Sequence, residues 1–383
     1  MRHPEINKSL LSELKTLRAS LHVCAERAGS ERRTASVVSN FLEAYPPDQL
    51  VRELGGTGIA AAYQGNEPGP TVLVRGELDA LPIEEKPGSV SIGDSPANSH
   101  RCGHDGHMAI VAGLAPLLSA RRPARGRIVL LFQPAEETGE GAWDVMEDPQ
   151  FPPLTPDFAL ALHNLPGYPE NTVVFRRSTF ASASVGMKVE LVGVPSHAAQ
   201  PEKARTPAVA LSRLLRQLPQ LSRPDASPER LLTITHASMG RQSFGVTPGK
   251  AVLFATLRSS QEADLTQLEE EAQRLVRDTV REEGLSYEID WVERFPETYC
   301  DHGLVSLLHH TCEENSVSFV EVDRPFRWSD DFGHFAKMCP ILYFGLGVGE
   351  NAPHLHQHDY RFSDELLPVG VKLFHSMARR LTS

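Results

Sequence analysis

The sequence predicts an α/β protein: a mostly parallel sheet in an α/β/α arrangement, with a smaller ferredoxin-like α+β domain inserted into it. Three observations carry that expectation. Residues 71–74, 128–132 and 158–162 are short apolar runs without the polar alternation of a half-exposed strand, so they read as strands covered on both faces. Each run is closely followed by charged or ligating residues, as expected where the carboxyl ends of parallel strands gather chemistry. From about Ser184 the pattern becomes strand, helix, strand, strand, helix, strand, which is the split βαβ order.

Taken in order, the first run leads into the acidic turn Glu77-Leu78-Asp79-Ala80-Leu81-Pro82. The stretch Arg101-Cys102-Gly103-His104-Asp105-Gly106-His107 then opens onto residues 108–118, whose small and apolar residues at helical spacing predict a helix packed on the sheet. The second run ends in Phe132-Gln133-Pro134-Ala135-Glu136-Glu137 and the third in Leu162-His163, with a short Pro-rich connector over residues 151–156. In the insertion, residues 185–192 alternate as a half-exposed strand, 207–218 are helical, and 231–235 and 251–257 are strands. Leu265, Leu268, Ala272, Leu275, Val276, Thr279 and Val280 mark one face of an amphipathic helix that Gly284 ends before a last strand around residues 287–292. The expected organisation is a large domain in two parts, residues 1–183 and 295–383, around an inserted domain of residues 184–294.

A chain of 383 residues exceeds the usual size of a single core, which favours two compact units. Its 38 Lys and Arg against 49 Asp and Glu give a net charge of −11, which disfavours a nucleic-acid partner or an anionic membrane surface. A small anionic substrate remains open, since one local arginine outweighs the global field. Cys24, Cys102, Cys300, Cys312 and Cys339 are odd in number and scattered, unlike a disulfide framework, and suit a reducing compartment. The amino terminus has no apolar h-region and no run approaches the roughly 18 apolar residues of a membrane span. The expectation is a cytoplasmic protein without a membrane partner.

The chemistry centres on Cys102 and His104. A thiolate and an imidazole two residues apart can close on one metal ion but need further ligands. The sequence offers Glu136-Glu137, His163, and the His-rich stretch from His354 to His358. Together these read as a metallohydrolase site. Adjacent side chains in extended backbone diverge, so Glu136 and Glu137 suit different tasks.

These motifs, with Ser196-His197-Ala198-Ala199 and Leu355-His356, resemble the M20 metallopeptidase family in order and spacing. The match is closest to its amidohydrolase branch of aminoacylases, hippurate hydrolase and indole-acetyl-amino-acid hydrolases. The resemblance covers nearly the whole chain and rests on the joint occurrence of its motifs. It implies two divalent ions held by Cys102, His104, Glu137, His163 and His356, with Zn, Mn, Ni and Co all compatible with a mixed S, N and O set. His354 is the alternative to His356. Glu136 is implied as general base, moving a proton from the attacking water to the leaving nitrogen. His197 is implied as the oxyanion donor, reaching the site of a partner subunit in a homodimer built on the inserted lid domain.

Less specific roles attach to other residues. Asp79 suits a carboxylate that orients a ligand imidazole. Asp105 and His107 read as supporting or helix-start residues, and Arg258 as a candidate for gripping a substrate carboxylate. Two departures from the family stand out: Glu77 where the branch usually has Asp, and Gly245-Val246-Thr247-Pro248 where it often has Asn-Val-Ile-Pro. The implied reaction is hydrolysis of the amide bond of a small N-acyl amino acid. A dipeptidase or aminopeptidase on the same fold is the first alternative, although no dedicated acidic lid residue marks an α-amino site. A non-catalytic metal-binding protein is the alternative from another class.

Overall fold

The chain divides into two compact units, one of Met1–Phe180, Thr298–Arg324 and Asp330–Ser383, the other of Ala181–Glu297 and Pro325–Ser329. The structure, a computed structural model, describes residues 6–84 and 97–383.

The first unit opens with helix α1 (Lys8–Val23), capped by Asn7, whose side chain accepts from the Leu10 amide at 2.9 Å. Its buried face is Leu10, Leu14, Leu17 and Leu21, spaced at one helical turn. There follow α2 (Arg32–Glu43), β1 (Gln49–Leu54), β2 (Gly58–Gln64), β3 (Glu67–Glu77), α3 (His104–Ala112), α4 (Leu114–Ala120), β4 (Arg125–Gln133), α5 (Gly141–Glu147), β5 (Phe158–Leu165), β6 (Val173–Phe175) and β7 (Ser178–Ala181).

The second unit is β8 (Ala183–Val192), α6 (Ala208–Gln217), β9 (Arg230–Met239), β10 (Lys250–Ser259), α7 (Glu262–Glu282) and β11 (Ser286–Phe295). Its four strands form one antiparallel sheet in the order β11-β8-β10-β9. Alternate residues Val185, Met187, Val189 and Leu191 of β8 are buried in one core with Leu211 and Leu214 of α6 and Leu265, Leu268 and Val276 of α7. That is the split βαβ order read from the sequence.

The chain returns to the first unit as β12 (Thr298–Cys300), α8 (His302–Asn315), β13 (Phe319–Glu321), β14 (Ile341–Gly347) and α9 (Leu366–Leu381). Among the described residues the large sheet has eight strands in the order β1-β2-β4-β3-β5-β14-β6-β13. Its centre, β4, β3, β5 and β14, is parallel, while β2 and β1 continue it antiparallel on one side and β6 on the other. The apolar runs fall in β3, β4 and β5, and every residue of β3 from Thr71 to Glu77 is buried. Both faces are covered. Gly76 backs onto His107 and Val111 of α3, while Arg75 points to the opposite face, toward Asp330 and Asp331. Among the described residues, no helix is long and apolar enough to cross a membrane.

Candidate metal centre

The donors gather at the carboxyl ends of β3, β4 and β5. Cys102 stands in the turn before α3, where Gly103 has φ 94° and an added Cβ would lie 1.9 Å from Asn164 Oδ1. Only glycine permits that approach, and it lets Asn164 Nδ2 donate to the Cys102 carbonyl at 2.9 Å. His163, on β5, donates from Nδ1 to the Asn164 carbonyl at 2.9 Å, which turns Nε2 toward Cys102 Sγ at 3.3 Å. His356 approaches from the carboxyl-terminal part of the chain, with φ 66° and its amide on the Arg101 carbonyl at 2.9 Å. Its Nε2 is also 3.3 Å from Cys102 Sγ.

His104 is the first residue of α3. Its Nδ1 donates to the Asp79 carbonyl at 2.9 Å, which directs Nε2 at Glu136 Oε2, 3.7 Å away, and Glu137 Oε1, 3.9 Å away. Tying down one imidazole nitrogen on a carbonyl is how proteins fix the other for a metal. Asp79 also accepts the Glu137 amide on Oδ2 at 2.9 Å, so one residue orients two donors. Ligating atoms of Cys102, His104 and His163 lie within 4.8 Å of one another, as do those of Cys102, Glu137 and His356. Cys102 belongs to both triads.

The set fits a divalent cation. Among the described residues, His104 Nε2 and Glu137 Oε1 are buried without a hydrogen-bond partner, which is costly unless another group supplies the contact. Burial, reinforced by Glu137 and Glu136, pushes the Cys102 thiol well up, and burial pushes Glu137 up to about 7 despite His104. Glu136 is driven well above the usual carboxylate range by burial, then by Asp330 and Glu137. Burial opposes the charge of His104, but Asp79 and Glu77 outweigh it and hold the ring at about 10. A bound cation reverses this order, favouring thiolate, carboxylate and neutral imidazole.

The other anticipated residues have other partners, although His107 shares one donor group with Glu77 and His104. Asp105 turns away from the donors and accepts from His22 Nδ1 at 2.8 Å and Arg18 Nη1 at 3.1 Å, tying α1 to the start of α3. His107 binds Glu77 Oε2 through Nδ1 at 2.8 Å and accepts the Asn164 amide on Nε2 at 3.2 Å. His354 and His358 join no donor group among the described residues. His197 and Arg258 belong to the second unit. His197 is exposed and pairs with Val246 across an isolated bridge, with Nδ1 accepting the Ala199 amide at 3.0 Å. Arg258 Nη1 is committed to the Arg327 carbonyl at 3.1 Å and the Ser329 hydroxyl at 3.0 Å. An added Cβ at Gly245 would meet nothing within 4 Å, so space does not demand glycine there.

One part of the site escapes the sequence. Arg75, fully buried, binds Glu77, Asp330 and Asp331 and also Gln133. Glu77 is held below its ordinary range: burial resists its charge, and Arg75 and then His107 override it. The Asp330-Asp331 dipeptide was the available signal, but its cation lies about 255 residues earlier in the chain.

A parallel sheet that presents thiolate, imidazole and carboxylate donors together at its strand ends defines a metallohydrolase class of enzyme. The sequence profile of Peptidase family M20/M25/M40 matches residues 73–380, and the chain belongs to that family. It is 28% identical over 361 residues to an N-acetyldiaminopimelate deacetylase of Exiguobacterium sibiricum, covering 93% of this chain and 96% of the relative. A provisionally assigned aminohydrolase of methicillin-resistant Staphylococcus aureus superimposes with a TM-score of 0.87 at 23% identity, covering 98% of each chain. A dinuclear metal-binding peptidase of the M20 family from Bacillus subtilis gives a TM-score of 0.83 at 23% identity, covering 98% of this chain and 99% of that one.

Proposed function

We propose that this chain hydrolyses the amide bond of a small N-acyl amino acid, an N-acetyl group being the favoured acyl part, and releases a carboxylic acid and a free amino acid. The observation that carries the reading is the position of Cys102 Sγ, 3.3 Å from both His163 Nε2 and His356 Nε2 and shared by the two donor triads. In this reading Cys102, His104 and His163 would hold one divalent ion, and Cys102, Glu137 and His356 a second. When bound, the ions supply Lewis acidity toward the carbonyl and lower the pKa of the attacking water; Zn, Mn, Ni and Co remain the candidates.

The protein's own groups do the rest. Glu136 Oε2, 3.7 Å from His104 Nε2, takes the proton of the attacking water and returns it to the leaving nitrogen. Asp79 keeps His104 and Glu137 oriented through its carbonyl and carboxylate. His197 donates to the oxyanion, and Arg258 is the candidate for the substrate carboxylate. We further propose a cytoplasmic homodimer formed through the second unit. The deacetylase relative supports the substrate class.

Metal analysis of the purified protein, followed by turnover of N-acetyl, N-benzoyl and N-indoleacetyl amino acids beside free dipeptides, tests the proposal. Glu136→Gln is expected to lower kcat by about 10²- to 10⁴-fold with metal retained. Full activity in that variant sinks the assigned base, and preference for dipeptides overturns the substrate class.

A further inference from the structure

We propose that Asp331 is a positioning residue: its buried carboxylate closes the loop that carries Glu136 and Glu137, and so fixes a general base and a metal ligand with one group. The inference rests on the roles given above to those two glutamates.

The loop leaves β4 at Gln133 and enters α5 at Gly141. Asp331 grips both ends. Each of its oxygens accepts from Gln133 Nε2 at 2.8 Å, and Oδ2 also accepts the Ala142 amide at 2.8 Å. Arg75 completes the clamp, with Nη2 on Asp331 Oδ1 at 2.8 Å and Nε on Gln133 Oε1 at 3.0 Å. The loop needs such a clamp because Ala135 has φ 51°, a left-handed conformation that a non-glycine residue keeps only when its surroundings over-determine it. Gly141 donates to the Ala135 carbonyl at 3.1 Å, and an added Cβ there would lie 1.6 Å from the Pro134 carbonyl oxygen, so the turn is closed tightly on itself.

The clamp reaches the chemistry directly, since carboxylate oxygens of Glu136, Asp330 and Asp331 lie within 4.8 Å of one another. Asp330 has a different task. It caps the following turn through the Phe332 amide at 2.8 Å and accepts from Tyr343 and Arg75, and none of these bonds goes to the loop. Asp331 is the member of the pair that holds the loop.

Asp331→Asn tests this with almost no change in volume. Oδ1 faces Arg75 and Gln133, and Oδ2 faces Gln133 and Ala142, so the amide NH₂ meets a donor in either orientation. The expected result is a fall in kcat of about 10- to 100-fold with KM nearly constant, and a divalent-ion affinity weakened by a similar factor in a metal titration. Gln133→Met removes one donor and leaves Arg75 and Ala142 in place, so it should show the same split at smaller size; it serves as the test if Asp331→Asn does not fold. Unchanged kcat and metal affinity in either folded variant overturn the proposal. So does a lowered melting temperature with full kcat per folded molecule. If the parent turns over no N-acyl amino acid, the functional reading fails, and the metal titration still decides whether Asp331 positions Glu137.

Discussion

Arg75→Met is the most informative perturbation of stability. The guanidinium is fully buried and is the shared cation of Glu77, Asp330 and Asp331, all of them buried. Methionine fills much of the space but leaves three carboxylates with no counter-ion. Breaking one buried pair costs about 3–5 kcal/mol. Glu77 keeps His107, and Asp331 keeps Gln133 and Ala142, so the loss should sit near the upper end of that range rather than at three times it. At about 2–3 °C per kcal/mol for a unit of this size, the melting temperature should drop by roughly 10–15 °C near pH 8. The pH dependence has a definite sign. In the parent, Glu77 is held below its ordinary value of 4.5, so it contributes stability above that pH which is lost only as pH falls toward its folded value. In the variant the same carboxyl, buried without its cation, moves above 4.5, and stability is lost as pH rises through the shifted range. Calorimetric melts of both proteins at pH 5.5 and 8 should therefore show a penalty that shrinks on acidification. A penalty below about 1 kcal/mol at pH 8, or one independent of pH, refutes the reasoning.

Cys102→Ser keeps the shape but offers a hydroxyl that stays protonated, so metal affinity should fall at least about tenfold and activity about a hundredfold, read by metal titration and N-acetyl amino acid turnover. Chelation should abolish turnover and lower the melting temperature, and both should return on adding back a divalent ion, since an ion bound only by the folded state stabilises it by mass action. His197→Ala should lower kcat without changing the melting temperature, because that side chain is exposed and accepts a local amide. Activity recovered on mixing His197→Ala with Glu136→Gln is the expected sign of a site shared between subunits. Its absence favours a self-contained one.

The strands of the parallel centre were legible because runs buried on both faces carry no polar alternation; β3, β4 and β5 read directly from residues 71–74, 128–132 and 158–162. The hairpin of β1 and β2 was not. Its second strand is Gly58-Ile59-Ala60-Ala61-Ala62-Tyr63-Gln64, where alanine gives no period to read, and pairing with β1 and β4 makes it a strand. Likewise the donor types of the proposed site stand out in the sequence as a thiol, imidazoles and an acidic pair near the ends of apolar runs, and it is their joint order and spacing, resembling a known family, that singles out Cys102, His104, Glu137, His163 and His356. The network on Arg75 was hidden for the opposite reason. An arginine ending an apolar run reads as the edge of a strand, whereas its burial depends on carboxylates from distant parts of the chain.

The clasp between α1 and α3 has a practical consequence for trimming the protein. The family match begins at residue 73, yet Asp105, next to His104, draws its partners Arg18 and His22 from before that point. Glu31, also upstream, accepts the Ala135 amide at 2.9 Å, one residue before Glu136. A fragment cut at the profile's edge would express every residue of the donor set and still lose the struts that aim it.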